Sequence, residues 1–252
     1  MLPVCRTFLA IILLVATKTV VAATNISVLF VGNSLTEANN LPEVFKRFAA
    51  ESSLHAQVDV WSTTPGGALF YNHWKRGEAI ALLQQHRPNF LILQGQSTEP
   101  LSALPNFNYY AGLFKTEADR SGTATVLFST WARPAGDPYY KEPSSGGSPA
   151  EMQTRLNAAY GSLAQNLRVK LAPVGFAWQA AHRNAPTIEL LDGTQHPSMA
   201  GTYLAAAVIF RTLFSTPTTP AVDSTYCGNL PKGTAHTLQR IAYSVPLVPL
   251  TP

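Results

Sequence analysis

The fold of this chain is decided by residues 25–35, which read NISVLFVGNSL. Residues 26–31 form a continuous apolar-rich run, which is typical of a strand buried on both faces. Gly32 ends the run, so we predict that the Ser34 hydroxyl group and the backbone N–H groups around it lie at the mouth of a sheet. The alternative is a serine that only caps the helix predicted from Leu41 or completes a turn.

Strand patterns and helical patterns alternate along the rest of the chain. The further predicted strands are residues 57–61, 90–93, 124–130 and 169–176, and the predicted helices are residues 41–52, 78–85, 109–120, 152–167 and 201–213. This alternation predicts an α/β fold with a parallel sheet covered on both faces. The stretch 135–149, rich in Gly, Pro and Ser, is predicted to be a long loop placed over a site.

Composition and charge exclude several classes of protein. The chain has 252 residues, of which 46% are hydrophobic and 13% are charged, against roughly 25% charged residues in an average soluble protein. This composition excludes an intrinsically disordered chain. The net charge of +4 is spread along the sequence without a block of like charges, so we predict no nucleic-acid partner.

The N-terminal residues 1–23 have the pattern of a secretory signal, with Arg6, an apolar run over residues 8–16 and small residues up to Ala23. We predict cleavage after Ala23 and a secreted or periplasmic protein with no stable membrane insertion. An uncleaved anchor is the alternative. Cleavage removes Cys5 and leaves Cys227 alone, so no intramolecular disulfide is expected. The mature chain is then one domain (24–214) and a tail of unassigned role (215–252), with a helix predicted over residues 236–243.

A serine nucleophile needs a base, and the chain has six histidines. His196 is favoured because Asp192 lies four residues upstream in the same loop, where it can orient the imidazole, and an apolar helix follows. A surface histidine without a partner is the alternative. For His73, lining a pocket and packing in the interior are equally compatible with the sequence.

Acyl transfer also needs donors aimed at the oxyanion. Gly66 and Gly67 follow the second predicted strand, and residues 94–97, which read QGQS, follow the third. Both segments are also compatible with plain turns. The sequence lacks the Gly-x-x-x-x-Gly-Lys phosphate loop and the His-Glu-x-x-His zinc motif, and we predict no metal and no organic cofactor.

On these motifs the sequence resembles the SGNH (GDSL-type) hydrolase family over about residues 25–214. The resemblance implies a flavodoxin-like three-layer α/β/α sandwich with a central parallel sheet, and the hydrolysis of esters. Residues 32–35, which read GNSL, match the family's Gly-Asp/Asn-Ser-Leu block, and this match makes Ser34 the implied nucleophile. Gly67, or alternatively Gly66, matches the glycine whose N–H group contributes to the oxyanion hole, together with that of Ser34.

Two blocks depart from the family pattern. The third block has no Asn but is similar to the Gln-Gly-Glu-Ser form of sialate and xylan acetylesterases, which implies an oxyanion role for Gln94, with Gln96 as the alternative. The last block is normally Asp-x-x-His, but here Gly193 occupies the position of the acid and Asp192 precedes it. Either Asp192 reaches His196 across one extra residue, which we favour, or Ser34 and His196 form a dyad with the imidazole oriented by a backbone carbonyl.

The predicted function is therefore a serine esterase that acts on small acyl esters, above all acetyl esters, with a small molecule or a carbohydrate as the substrate. Five aromatic side chains are candidates for stacking on sugars or for packing: Tyr71, Trp74, Trp131, Tyr139 and Tyr140. The same residues would also support an O-acetyltransferase that acts on a polysaccharide. A catalytically silent carbohydrate-binding protein with the same fold is the third hypothesis.

Overall fold

A computed structural model describes residues 25–214 and 224–247 of the chain. The predicted signal peptide lies outside these residues. The strands are β1 (Asn25–Val31), β2 (Gln57–Thr63), β3 (Phe90–Leu93), β4 (Ala124–Phe128) and β5 (Lys170–Ala172). They form one five-stranded sheet in the order β2-β1-β3-β4-β5, and every neighbouring pair is parallel.

Helices connect the strands and cover the sheet. The α-helices of the described residues are α1 (Ser34–Glu37), α2 (Leu41–Ala50), α3 (Phe70–Arg76), α4 (Glu78–His86), α5 (Glu99–Ser102), α6 (Leu104–Arg120), α7 (Pro149–Leu167), α8 (Val174–Asn184), α9 (Met199–Phe214) and α10 (Lys232–Ser244). Two short 3-10 helices, Pro138–Lys141 and Pro143–Ser145, give structure to the predicted loop over residues 135–149. The predicted α/β fold with a parallel sheet is confirmed.

The side chains of β1 alternate between two apolar cores. Val28 and Phe30 pack into the core that contains α2, α8, α9 and α10. Leu29 and Val31 pack into the opposite core, which contains α4, α6 and α7. Because both faces of β1 are covered, the strand needs apolar residues at every position from Val28 to Val31, which explains the continuous run in the sequence.

The strand order places a switch point at β1, which pairs with β2 on one side and with β3 on the other. The chain runs from β1 to β2 on one side and then crosses back over β1 to β3 on the other side, so a crevice opens beyond the carboxyl ends of β1 and β3. Ligands of open parallel sheets bind in such crevices. Ser34 therefore lies where the sequence predicted the chemistry of the fold to be.

The prediction of a strand over residues 169–176 is wrong after Ala172. Only Lys170–Ala172 is extended, and Val174 begins helix α8, with Pro173 at its N-cap position. The apolar run continues through the boundary because β5 and the first turn of α8 are both buried. Helix α3 was also not predicted, since its seven residues give too short a pattern.

The tail forms part of the packed core where the structure describes it. The helix predicted over residues 236–243 is confirmed as α10, which packs against α9. Gln239, buried in α10, donates a hydrogen bond to Tyr203 Oη of α9 at 2.7 Å and accepts one from the Ser224 N–H group at 3.2 Å. None of the helices in the two described ranges is both long and apolar enough to cross a bilayer.

Candidate active site

The loop that follows β1 is held in place by contacts with β2 and α3. Gly32 N–H donates to Thr63 O of β2 at 3.1 Å, and Gly32 O lies 2.6 Å from His73 Nε2 of α3. A Cβ atom at position 32 would stand only 2.7 Å from Gln94 Oε1, so the close approach requires glycine. His73 is buried, and burial lowers the pKa of its imidazole. His73 is therefore a neutral packing residue that donates a hydrogen bond to the loop, and it does not serve as the catalytic base.

Asn33 joins the nucleophile loop to the glycine loop after β2. Its Oδ1 accepts the Leu35 N–H group at 3.1 Å, and its Nδ2 donates to Ala68 O at 3.2 Å. Gly67, directly before Ala68, has a φ of +69°, a conformation that favours glycine. Gly66 and Gly67 both have open space where a side chain would stand. Hydrogen bonds of Asn33 therefore hold the two loops together, and open space remains beside Gly66 and Gly67.

The structure brings Ser34 and His196 together across 162 positions of the sequence. Ser34 Oγ lies 3.0 Å from His196 Nε2, and both residues are half-buried. His196 comes from a loop before α9 that is closed by a bridge between Leu191 and Pro197 and by a 3.1 Å hydrogen bond from Asp192 N to His196 O. A hydroxyl at this distance from an imidazole nitrogen is within reach of proton transfer.

Asp192 does not contact the imidazole directly. His196 Nδ1 lies 3.0 Å from Thr194 Oγ1, and that hydroxyl donates to Asp192 Oδ1 at 2.6 Å. The hydrogen bond from Thr194 is the main reason why the pKa of the exposed Asp192 carboxyl lies below its ordinary value. The sequence predicted a carboxylate or a backbone carbonyl in the position that the Thr194 hydroxyl occupies. The threonine two residues before the histidine was the available signal.

Backbone donors beside the nucleophile lack an internal partner. Within residues 25–214 and 224–247, the N–H groups of Ser34, Gly66 and Gly67 donate no hydrogen bond. Orphan backbone donors are uncommon in folded proteins unless water or a ligand satisfies them. All three belong to segments that Asn33 connects, so they are available to an atom bound beside Ser34.

Gln94 lies beneath the nucleophile loop. Its Oε1 accepts the Asn33 N–H group at 3.1 Å and the Thr36 hydroxyl at 2.9 Å, and its Nε2 donates to Gly95 O. The backbone donor fixes the orientation of the amide, because an N–H group can only donate. The side chain is 1% exposed. One amide hydrogen remains free, and the oxyanion role of Gln94 stays a prediction that depends on it.

Gln96, the alternative, is half-buried and organises the turn after β3. Its Oε1 accepts the N–H groups of Thr98 at 2.7 Å and Glu99 at 3.2 Å, and its Nε2 donates to Ser97 Oγ at 3.2 Å. The amide of Gln96 is therefore also engaged locally, and it too has one hydrogen left. Gln94 is buried whereas Gln96 is half-buried, and since β3 ends at Leu93, strand alternation does not extend to either glutamine.

Glu99 is a buried carboxyl group behind the site. It accepts the N–H group of Phe70, at the start of α3, at 3.1 Å, and that of Gln96, also at 3.1 Å. Burial raises its pKa to about 7, against an ordinary 4.5. Glu99 thus connects the glycine loop to the turn after β3, and no sequence pattern pointed to it.

The five aromatic candidates have different surroundings. Trp131 is buried, stacks on Trp178 with ring centroids 4.0 Å apart, and donates from Nε1 to Gln195 O at 3.1 Å. It packs behind the histidine loop and is not available to a sugar. Trp74, Tyr139 and Tyr140 are half-buried, whereas Tyr71 is 40% exposed.

Solved structures with the same arrangement of strands and helices include a protein from Slackia heliotrinireducens, described as a proposed SGNH hydrolase. The two chains share 28% identity with a TM-score of 0.62, over 76% of this chain and 99% of that one. The chain has the SGNH hydrolase fold. This agreement confirms the resemblance predicted from the sequence blocks.

Other structures extend the likeness in fold. A DUF4886 family protein from Bacteroides uniformis has 17% identity and a TM-score of 0.66, over 87% of this chain and 93% of its own. An acetylxylan esterase from Geobacillus stearothermophilus has 13% identity and a TM-score of 0.56, over 77% and 96%. No protein-family model and no curated protein matches the sequence. The SGNH fold of this chain is therefore shown by structure, at low sequence identity.

Proposed function

We propose that this protein is a serine esterase with Ser34 as its nucleophile and His196 as its general base. The 3.0 Å distance between Ser34 Oγ and His196 Nε2, at the carboxyl edge of the sheet, carries this proposal. A serine hydroxyl is a poor nucleophile until a neighbouring base accepts its proton. The SGNH hydrolases and esterases that share the fold support an ester as the substrate.

In the first half of the reaction, Ser34 Oγ attacks the carbonyl carbon of the ester while its proton moves to His196 Nε2. The bond to the alcohol oxygen then breaks, and His196 returns the proton to the departing alcohol. In the second half, water attacks the acyl group on Ser34 and gives a proton to His196. The acid leaves, and the proton returns to Ser34 Oγ.

Negative charge develops on the carbonyl oxygen during each attack. We assign its stabilisation to the N–H groups of Ser34 and Gly67, with that of Gly66 as the alternative to Gly67, since none of the three has an internal partner in the described part of the chain. The free amide hydrogen of Gln94 is the third donor, with that of Gln96 as the alternative. Removing one such donor costs about 10²- to 10³-fold in kcat in other hydrolases.

For the substrate we propose an acetyl ester on a carbohydrate. The acetylxylan esterase of the same fold supports this choice, and so does the exposed ring of Tyr71 near the glycine loop. A cleft of about 460 Å³ lies behind the histidine loop and is lined partly by Arg133, Trp178 and Leu191, but neither Ser34 nor His196 lines it, so it does not bear on the choice of substrate. We also propose that the protein acts outside the cytoplasm, after cleavage of residues 1–23.

The proposal is tested with purified protein and p-nitrophenyl acetate. Ser34→Ala should reduce kcat to the uncatalysed background, because the acyl group then has no acceptor. Ser53→Ala, which changes an exposed serine without side-chain hydrogen bonds in the described structure, is the matched control and should keep the full rate. A fluorophosphonate should label Ser34 and leave the Ser34→Ala variant unlabelled.

Two results would replace the proposal by one of the alternatives. If wild type and Ser34→Ala give the same background rate, the protein is not an esterase, and a silent carbohydrate-binding protein becomes the better hypothesis. If the acyl group on Ser34 passes to an added oligosaccharide faster than to water, the protein is an O-acetyltransferase. Release of acetate from acetylated xylan at a rate that depends on Ser34 supports the carbohydrate esterase.

A further inference from the structure

The hydrogen bonds around Thr194 form a chain from Asp192 to Ser34. The Thr194 hydroxyl lies 2.6 Å from Asp192 Oδ1 and 3.0 Å from His196 Nδ1, and the opposite ring nitrogen lies 3.0 Å from Ser34 Oγ. The backbone N–H group of His196 also points at the Thr194 oxygen, at 3.1 Å. The threonine hydroxyl is therefore the only group among the described residues that contacts His196 Nδ1.

In this series of hydrogen bonds, the chemistry of each group decides which atom donates and which accepts. A carboxylate only accepts, so the single proton of the Thr194 hydroxyl is donated to Asp192. The hydroxyl oxygen then has only its lone pairs for the two groups of His196. It accepts the backbone N–H group, and it can contact Nδ1 favourably only if Nδ1 carries a proton. Nε2 is then the unprotonated nitrogen and faces the Ser34 hydroxyl.

We propose that Thr194 is a positioning residue that fixes the tautomer and the orientation of His196, in the place where a carboxylate would otherwise contact the imidazole. This inference rests on the proposed esterase function and concerns how the base is prepared. Asp192 acts through Thr194 by fixing the direction of its hydroxyl proton. The shift of the acid by one position, from 193 to 192, thus leaves room for a hydroxyl group between the acid and the base.

The loop is built to hold this arrangement. Gly193 has a φ of +93°, which favours glycine and turns the chain so that Asp192 Oδ1 accepts both the Thr194 hydroxyl and the Thr194 N–H group, the latter at 2.9 Å. Asp192 itself is exposed, so water and salt screen its charge. The direction of the hydrogen bonds therefore contributes more to the base than the negative charge does.

This arrangement predicts an unusual result for Asp192→Asn. Because the Thr194 N–H group donates to Oδ1, an asparagine would keep its oxygen there, and the hydroxyl would keep its direction. We expect a loss of no more than about tenfold in kcat, whereas replacing an acid that contacts the imidazole directly by its amide costs about 10⁴-fold. Thr194→Val keeps the shape but removes the oxygen, and should reduce kcat about 10²-fold or more with little change in KM. Thr194→Ser should restore kcat to within about threefold.

A spectroscopic measurement separates positioning from folding. The ¹⁵N spectrum of the His196 ring should show a proton on Nδ1 in wild type, Thr194→Ser and Asp192→Asn, and a mixture of tautomers in Thr194→Val. Thermal unfolding of each variant shows whether the fold is intact. A Thr194→Val protein that is folded, keeps wild-type kcat and keeps the Nδ1 proton would overturn the proposal.

The order of the variants also distinguishes this proposal from the proposed function. If Asp192→Asn loses far more activity than Thr194→Val, Asp192 contacts His196 directly during the reaction, and Thr194 is not the positioning group. If wild type already has no more activity than Ser34→Ala, the esterase function fails. The ring spectrum then still reports whether Thr194 fixes the tautomer.

Discussion

The Glu99 carboxyl group ionises well above its ordinary pH range. Its carboxyl group has an ordinary pKa of 4.5, which burial raises to about 7 in the folded protein. Between these values the unfolded chain is ionised while the folded protein keeps the proton. The folded state then binds more protons at this group, so the contribution of Glu99 to the free energy of unfolding should decrease by about 3 kcal/mol as the pH rises from 4.5 to 7.

The measurement is urea-induced unfolding at pH 4.5, 6 and 8. Glu99→Gln cannot ionise, so the difference in stability between wild type and this variant should change with pH, while Glu189→Gln, at an exposed position, should follow the wild type. Comparing the two curves also removes the contribution of His73. Because the pKa of His73 is lowered, its neutral imidazole contributes stability above pH 6.5, the ordinary pKa of histidine. This contribution is lost as the pH falls below 6.5. A difference that is constant from pH 4.5 to 8 contradicts the shifted pKa.

The sequence allows a residue to be predicted when its role follows from its own segment. Ser34 follows a buried strand and His196 precedes an apolar helix, so both could be proposed without a structure. Thr194 and Glu99 could not. The role of Thr194 depends on the conformation of Gly193 and on the bridge from Leu191 to Pro197, and that of Glu99 depends on the approach of α3 from a distant part of the chain.

The packing of α9 against the histidine loop depends on Gly201. A Cβ atom at this position would overlap Leu190 O, and it would stand 2.7 Å from the ring of Trp178. Neither the backbone nor the buried ring can move without disturbing the loop that holds His196. Gly201→Ala should therefore reduce stability by about 1 to 3 kcal/mol, and it should lower kcat as well.

Gly161→Ala is the matched control for this prediction. Gly161 lies within α7 and has no atom within 4 Å of the position of an added Cβ. Alanine there should stabilise the protein by about 0.5 to 1 kcal/mol, because glycine is unfavourable in a helix. Thermal unfolding and esterase activity of both variants are the measurements. Equal effects of the two substitutions would contradict the proposed contact of α9.

A strand or helix was predicted correctly where a single hydrophobic pattern covers it from its first residue to its last. Strand Phe90–Leu93 agrees with its prediction at both ends, since Pro88 precedes it and polar residues follow. The boundary between β5 and α8 was missed because burial makes both sides of Pro173 apolar. The apolar residues of this stretch indicate burial but not the type of element, since the change from strand to helix depends on the backbone conformation at Pro173.

Gln239 connects helix α10 to the rest of the core. Its side chain is 2% exposed, and it bonds to Tyr203 Oη and to both the N–H group and the carbonyl oxygen of Ser224. Ser224 in turn donates to Phe48 O of α2 at 2.9 Å. Gln239→Leu leaves the backbone groups of Ser224 buried without this partner, and it should reduce stability by about 2 kcal/mol or more.

His236→Ala is the control in the same helix, since His236 is exposed and makes no side-chain hydrogen bond in the described structure. We expect its unfolding temperature to stay close to that of wild type, while Gln239→Leu unfolds several degrees lower. If both variants unfold like wild type, residues 224–247 contribute little to the stability of the core.

The position of α10 also has a consequence for the order in which the protein is made. A chain leaves the ribosome with its N-terminus first, so the part of the apolar surface of α9 that packs against α10 stays uncovered until α10 has been synthesised. Ser224, which bonds to α2 and to Gln239, also emerges late. The growing chain should therefore remain incompletely folded until α10 has been synthesised. Such a delay would help a polypeptide that has to pass through a narrow export channel before it folds.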